Sequence, residues 1–215
     1  MHIIYGGTFD PIHNGHLRVA VELREALAVH EIHLLPSHIP PHRDRPGGSG
    51  SHRLELLKLA VAGEPGLAVD DRELNRDGAS YTVDTLRQLR EQLGPDEPLA
   101  MVVGSDAFAG FDHWHQWADI PELAHIILVT RPGAQLSPGS IPARLLEERR
   151  ANDIATLKAS PAGCILAVEP PSLDISATGI RDRLAAGRSV RYLVPDAVLA
   201  RIDELGMYGC KGHEQ

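Results

Sequence analysis

Two histidines stand three residues apart behind a short apolar run and a pair of glycines, in the segment Gly6-Gly7-Thr8-Phe9-Asp10-Pro11-Ile12-His13-Asn14-Gly15-His16. Two glycines after a strand let a ligand approach the backbone closely. Asn14 can cap a helix that begins near Gly15, and a helix start offers N–H groups and a positive dipole end to phosphate. A histidine pair alone is more often an ordinary surface or core feature, but this setting predicts an anion site faced by His13 and His16.

A second helix start lies near the other end of the chain, in Ile175-Ser176-Ala177-Thr178-Gly179-Ile180-Arg181. Ser176 or Thr178 could cap this helix, and Ile180 would anchor it in the core. Arg181 would then stand in the first turn, where hydroxyl, amide and guanidinium groups together hold a phosphate well. Alone, the segment is better explained as a capped helix with a solvated arginine. Its pairing with the first segment favours phosphate binding.

Both helix starts need a scaffold, and short apolar runs that alternate with amphipathic stretches indicate one. Runs apolar on both faces suit strands of a buried parallel sheet, and the alternation predicts a doubly wound parallel α/β sheet. We expect a single domain over residues 1–208, a flexible tail over 209–215, and surface loops over 45–51 and 132–142. The expected strands are Ile3–Tyr5, Ile32–Leu35, Leu67–Asp70, Leu99–Val103, Ile126–Thr130 and Ile165–Val168.

Composition limits the classes of protein that this chain can belong to. It has 215 residues and a net charge of −8, so nucleic acid and anionic membranes are not expected partners. The two cysteines are far apart, which suits a reducing cytoplasm. We expect neither a signal peptide nor a spanning helix. The oligomeric state cannot be read from these features.

The first segment resembles the signature of the nucleotidyltransferase superfamily, whose core is T/H-x-G-H and stands here as His13-Asn14-Gly15-His16. The second resembles the I-S-S/A-T-x-I-R motif of the same superfamily. The resemblance implies a Rossmann-like fold, catalytic roles for His13, His16 and Arg181, and a grip on the β- and γ-phosphates of ATP by the second motif. The ATP-binding residues that it implies in these two segments are Gly6, Gly7, Thr8, Phe9, His13, Gly15, His16, Ser176, Thr178, Ile180 and Arg181.

Other segments resemble the nicotinate mononucleotide adenylyltransferases. Pro36-Ser37-His38-Ile39-Pro40-Pro41-His42-Arg43 is similar to a family segment that holds the pyridine nucleotide and places basic residues at phosphate. In Ser80-Tyr81-Thr82, Tyr81 and Thr82 would donate to the nicotinate carboxylate. Trp114 would stack on the pyridine ring, Asp106 of Gly104-Ser105-Asp106 would accept from a ribose hydroxyl, and Arg131 would reach the ligand. This resemblance adds His42, Arg43, Gly104 and Asp106 to the ATP site and assigns Ser37, His38, Tyr81, Thr82, Ser105, Trp114 and Arg131 to the nicotinate nucleotide.

The implied reaction is an in-line attack of nicotinate mononucleotide on the α-phosphorus of ATP, with Mg²⁺ carried by the phosphates. A site made of donors suits an acid better than an amide. Alternatives remain open: nicotinamide mononucleotide or phosphopantetheine as acceptor, a regulator that binds nucleotide without catalysis, and a metal hydrolase using some of the 12 histidines. The histidines lack the spacing of a third ligand, so no protein-held metal is expected.

Overall fold

The computed structural model describes residues 1–38, 47–130, 133, 135–171 and 173–209. Within them lies a seven-stranded sheet in the order β3-β2-β1-β4-β5-β7-β6. Every pairing is parallel. The strands are β1 (His2–Gly7), β2 (Ile32–Pro36), β3 (Leu67–Val69), β4 (Leu99–Gly104), β5 (His125–Val129), β6 (Arg150–Ala151) and β7 (Ile165–Val168).

Helices follow or precede most strands, as a parallel sheet requires of its crossovers. Short 3₁₀ turns lie at Phe111–His113, Trp117–Asp119 and Met207–Gly209. The α-helices are α1 (Asn14–Ala26), α2 (Gly50–Val61), α3 (Thr82–Leu93), α4 (Ser105–Phe108), α5 (Ile120–Leu123), α6 (Ile141–Glu148), α7 (Ile154–Lys158), α8 (Ala177–Ala185) and α9 (Asp196–Glu204).

The sheet is buried on both faces, which explains why its strands are apolar without alternation. Successive residues of a strand point to opposite faces. Ile3 therefore packs in one core cluster, with Leu23 of α1 and Val198 of α9. Ile4 packs in the other, with Leu86 of α3. The predicted doubly wound sheet is confirmed, and every expected apolar run overlaps a strand, although Asp70 and Thr130 lie just beyond the ends of β3 and β5.

The shortest elements escaped prediction. Strand β6 has two residues at the sheet edge and joins only β7, so no apolar run announces it. Helices α4 and α5 have four residues each, too few to display helical periodicity. Among the residues that the structure describes, no helix is long and apolar enough to cross a membrane.

Details at element boundaries also differ from expectation. Asn14 is the first residue of α1, and His13 is its cap instead. The expected loop over 45–51 is wrong at its end, because Gly50 and Ser51 belong to α2 and Ser49 caps that helix by accepting from the His52 amide at 3.2 Å. Gly209 closes the last 3₁₀ turn, and the rest of the expected tail lies outside the described residues.

The order of the strands fixes where a ligand can bind. β1 and β4 are neighbours in the sheet, yet the chain leaves β1 towards β2 on one side and β4 towards β5 on the other. This reversal opens a crevice at the carboxyl ends of the two strands. Gly6-Gly7 ends β1 and Gly104 ends β4, so two of the predicted segments meet there.

Candidate active site

A cleft of about 1420 Å³ opens at this crevice. Its lining includes most of the residues that the sequence placed at a ligand. Those residues are Gly6, Gly7, Thr8, Phe9, His13, Gly15, His16, Ser37, Thr82, Gly104, Ser105, Asp106, Trp114, Ser176, Thr178 and Arg181.

The two histidines form a stacked pair at the start of α1. Their ring centroids lie 3.7 Å apart, and the His13 ring nitrogen Nδ1 accepts from the His16 amide at 3.4 Å. The Phe9 ring meets the His16 ring edge-on, with centroids 5.1 Å apart. His13 is 4% exposed, so its ring is fixed by packing. The pair thus presents aromatic nitrogens beside the positive end of a helix.

Close contacts leave little room for a side chain at two glycines of this segment, Gly7 and Gly15. A Cβ on Gly7 would lie 2.9 Å from the Phe9 ring, and a Cβ on Gly15 would lie 3.0 Å from the His13 ring. Phe9 itself has a φ of 48°, in the left-handed region that costs energy for a residue with a side chain. The backbone here is shaped to hold the aromatic rings together under the cleft.

Helix α8 brings the second motif to the first. Ser176 caps α8, accepting from the Gly179 amide at 3.1 Å. Arg181 Nη1 donates to the Asp10 carbonyl at 2.7 Å, across 171 residues of sequence, and Arg181 Nη2 donates to Thr178 Oγ1 at 3.3 Å. Ile180 is 1% exposed; its side chain anchors α8 in the core and does not line the cleft.

Asp10 is a buried hub to which the sequence assigned no role. Its carboxylate accepts from the amides of Gly47 and Gly48 at 2.8 and 3.0 Å and from the Tyr208 hydroxyl at 2.7 Å. Arg181 Nη1 lies 3.7 Å from the same carboxylate. Burial and the Asp10 carboxylate raise the pKa of Tyr208, so the phenol stays protonated and remains a donor.

On the other side of β1, the end of β2 is tied to the start of α3. The His38 amide donates to Ser80 Oγ at 2.8 Å. Ser80 and Thr85 both bond to the Glu73 carboxylate, Thr85 Oγ1 at 2.7 Å. Glu73 is 6% exposed, and burial raises its pKa despite these bonds. Glu73 and Ser80 line the cleft and were not predicted.

Of the residues predicted for the pyridine nucleotide, Ser37, Thr82, Ser105 and Trp114 line the cleft, and His38 and Tyr81 do not. Thr82 is the first residue of α3, and Tyr81 at the helix cap makes no side-chain hydrogen bond to the first turn, where amides lack the partners found in a helix interior. Tyr81 precedes it and packs its ring against His115, with centroids 4.3 Å apart. Trp114 lines the cleft with its ring 5.3 Å from Phe111. Ser105, like Ser37 and His38, carries a buried polar side-chain atom for which the described residues offer no hydrogen-bond partner; the atoms are Ser37 Oγ, His38 Nδ1 and Ser105 Oγ.

Some predictions fall outside the described residues, namely those on His42, Arg43 and Arg131. Within the described ranges, no group of three or more histidine, cysteine, aspartate or glutamate side chains could hold a metal ion. The sequence missed Arg53 and Tyr208 as well as Asp10 and Glu73. For Asp10, its place inside the first motif was the available signal.

The sequence is similar to known proteins over most of its length. Residues 4–183 match the family model described as "Cytidylyltransferase-like". A protein of Marinobacter nauticus named "Probable nicotinate-nucleotide adenylyltransferase" is 59% identical over 98% of both chains. One of the same name from Halorhodospira halophila is 50% identical over 96% of this chain and 94% of its own.

Solved structures share the fold at much lower identity. The nicotinic acid mononucleotide adenylyltransferase of Plasmodium falciparum, solved in complex with NaAD, superposes with a TM-score of 0.72 at 18% identity and covers 97% of each chain. At this identity the likeness concerns the fold alone. With the family model spanning most of the sequence and close relatives spanning nearly all of it, the chain belongs to the cytidylyltransferase-like family, among its nicotinate-nucleotide adenylyltransferases.

Proposed function

We propose that this enzyme transfers AMP from ATP to nicotinate mononucleotide, giving nicotinate adenine dinucleotide and pyrophosphate, a step of NAD biosynthesis. One observation carries the proposal. The His13–His16 pair and the Ser176–Arg181 motif, distant in sequence, line one cleft at the switch point of the sheet and are joined by the Arg181–Asp10 bond. Relatives of up to 59% identity carry the name of this activity.

The triphosphate of ATP would lie between the starts of α1 and α8. Both helices direct their positive dipole ends at the cleft, and His16, Thr178 and Arg181 add hydrogen-bond donors beside them. We assign His13 and His16 to the phosphates and Arg181 to the departing pyrophosphate. His42 and Arg43, which follow β2 in the sequence, would complete the positive set.

The pyridine nucleotide would lie between β2, α3 and Trp114. The first amides of α3 and the Thr82 hydroxyl would donate to the nicotinate carboxylate, and the Trp114 ring would stack on the pyridine. Ser37 and Ser105 support this placement, because a buried hydroxyl without a protein partner is costly unless a ligand supplies one. Tyr81, His38, Asp106 and Arg131 stay predicted contacts.

The chemistry needs positioning more than proton transfer. A 5′-phosphate oxygen of nicotinate mononucleotide attacks the α-phosphorus of ATP, a new P–O bond forms, and the bond to the β-phosphate oxygen breaks. The attacking oxygen is already anionic and needs no general base, and we propose no covalent intermediate. The side chains hold both nucleotides in line and stabilise the charge of the leaving pyrophosphate.

Mg²⁺ is the proposed companion of ATP. The described residues include no protein cage for the ion, and the donor set of the cleft fits an ion held by phosphate oxygens and water. When bound, the ion would neutralise part of the triphosphate charge. We also propose that the enzyme works in the cytoplasm, as its widely spaced cysteines Cys164 and Cys210 suit a reducing compartment.

The test is an assay of purified protein with ATP, Mg²⁺ and one acceptor at a time: nicotinate mononucleotide, nicotinamide mononucleotide or phosphopantetheine. Products are identified by mass spectrometry, and pyrophosphate release is followed in parallel. We expect the nicotinate dinucleotide to form much faster than the other products. Equal rates with acid and amide would contradict the carboxylate-reading role of Thr82, and ATP binding without pyrophosphate release would favour a non-catalytic regulator.

The residue-level test is His16→Ala. Loss of one charge-stabilising donor costs about 2.7–4 kcal/mol of barrier, which is about 10²–10³ in kcat. The matched control is His30→Ala, since His30 is exposed and lies before β2, at the amino-terminal edge of the sheet. Near-normal turnover of a folded His16→Ala protein would remove His16 from the mechanism.

A further inference from the structure

Arg53 is a cation in the protein interior. It lies in the first turn of α2 and is 1% exposed, the largest of the fully buried side chains. Its position, three and four residues before the buried Leu56 and Leu57, places it on the helix face that packs on the sheet. A buried charge is costly unless every donor is satisfied. The partners of Arg53 therefore indicate why it is there.

Among the residues that the structure describes, the hydrogen-bond partners of Arg53 are all main-chain carbonyl oxygens. Nε donates to Gly48 at 3.2 Å and Nη1 donates to Thr8 at 2.6 Å. Nη2 donates to Ser37 at 2.7 Å and to His38 at 3.2 Å. Carbonyls at the carboxyl end of a parallel sheet have left the ladder and need partners elsewhere. One guanidinium supplies them for the loop after β1, the loop after β2 and the approach to α2.

The three segments held in this way build both halves of the cleft. Thr8 precedes Phe9, whose ring contacts His16. Gly48 donates its amide to Asp10, which in turn accepts from Arg181 through its carbonyl. Ser37 lines the cleft on the side that we assign to the pyridine nucleotide. Arg53 thus touches the backbone on the ATP side and on the acceptor side at once.

We propose that Arg53 is a positioning residue for the adenylyl transfer, fixing the distance and angle between the loops that hold the two nucleotides. This inference rests on the proposed function. A guanidinium suits the task because its planar fork presents five donors in a fixed geometry, whereas lysine presents a compact ammonium on a flexible stem. In-line attack is sensitive to such placement, since a misplacement of about 1 Å can cost about 100-fold in rate.

Arg90 provides a matched control. It also donates to main-chain carbonyls, those of Leu123 at 2.7 Å and Glu97 at 2.6 Å, with further bonds to Gly94 and Pro161. These carbonyls lie at the opposite edge of the sheet, before β4, β5 and β7 begin. Arg53 and Arg90 are therefore comparable in bonding and differ in their distance from the cleft.

The experiment compares wild type, Arg53→Met, Arg53→Lys and Arg90→Met at a temperature where circular dichroism shows each to be folded. It measures the urea midpoint, kcat, and KM for ATP and for nicotinate mononucleotide. We expect both methionine variants to lose stability. The kcat/KM of Arg53→Met should fall about 100-fold, and that of Arg90→Met should stay within about threefold of wild type because the site is distant.

Arg53→Lys keeps the positive charge and loses the planar guanidinium, so its kcat/KM should resemble that of Arg53→Met. If Arg53→Met does not fold, Arg53→Lys provides the test. Equal activity losses in Arg53→Met and Arg90→Met, or wild-type kinetics in Arg53→Lys, would overturn the proposal. Calorimetry that measures the binding of each nucleotide alone to the variants tests the role of Arg53 independently of the proposed function. If wild type forms no dinucleotide, the proposed function fails, and weaker binding to the Arg53 variants than to Arg90→Met would still support positioning.

Discussion

Replacing Glu73 by glutamine separates two effects of the buried carboxylate on stability. One is the cost of burying its charge, and the other is the gain from its hydrogen bonds. The Glu73 carboxylate accepts hydrogen bonds from the hydroxyls of Thr85 and Ser80, and the residue is 6% exposed. Burial nevertheless raises its pKa above the ordinary 4.5. Desolvation therefore outweighs the hydrogen bonds. Glu73→Gln removes the buried charge, a gain, and leaves one hydroxyl without its acceptor, a loss of about 1–3 kcal/mol. The two effects oppose each other near neutral pH.

The pH dependence of the free energy of unfolding distinguishes the effect of the buried charge from that of the lost hydrogen bond. Because the native pKa of Glu73 is raised, the native protein binds a proton more tightly than the unfolded chain does. The contribution of Glu73 to the stability of the wild-type protein is therefore greatest at acidic pH. It falls as the pH rises from 4.5 through the native pKa. Each unit of pKa shift corresponds to about 1.36 kcal/mol. Glu73→Gln lacks this slope, so its stability relative to wild type should improve as the pH rises.

Urea unfolding between pH 4.5 and about pH 8 measures the difference, in which all other titrations cancel. Glu91→Gln, on the exposed face of α3, is the control and should show no such trend. Kinetically, Ser80 loses its acceptor and holds the His38 amide less firmly, so we expect KM for nicotinate mononucleotide to rise and KM for ATP to stay. The reasoning would be refuted if the stability of Glu73→Gln relative to wild type stayed constant or fell as the pH rose.

Other variants test separate contacts. Tyr208→Phe deletes the bond to the Asp10 carboxylate and should cost about 1.5–3 kcal/mol in urea unfolding; an unchanged midpoint would contradict it. Burial lowers the pKa of His2 from 6.5 to about 4, so its contribution to stability should fall as the pH drops through that window, and His2→Phe should flatten the curve. Gly7→Ala places a Cβ 2.9 Å from the Phe9 ring and should lower both the melting temperature and kcat; unchanged values would show that the ring moves freely.

The scaffold was predictable because its signals are local. Buried parallel strands show in the sequence as apolar runs, and β1 (His2–Gly7) ends in the glycines of the first motif. The two helix starts that line the cleft were predictable for the same reason. In α8, for example, the capping Ser176 and the cleft-lining Arg181 are only a few residues apart. Strand β6 was not, because two residues carry no period.

The supporting network was not predictable because its partners are distant in sequence. Asp10 meets Gly47, 37 residues away, and Tyr208, 198 residues away. Arg53 reaches Thr8 across 45 residues. No spacing rule links such positions, and each bond exists only once the sheet has brought the loops together. The sequence thus indicates which groups could meet the ligand more readily than which groups hold them.

This division explains how an acidic chain can bind two anionic nucleotides. The net charge of −8 offers no general attraction, so the cleft must concentrate its few cations and aim them. Asp10 illustrates how a carboxylate serves that purpose. Arg181 approaches its carbonyl at 2.7 Å but its carboxylate only at 3.7 Å. The guanidinium is thereby oriented by a neutral oxygen, while the amides and the phenol share the carboxylate charge. Arg181 is held in direction without a close ion pair, which, under the proposed function, leaves its positive charge to act on phosphate.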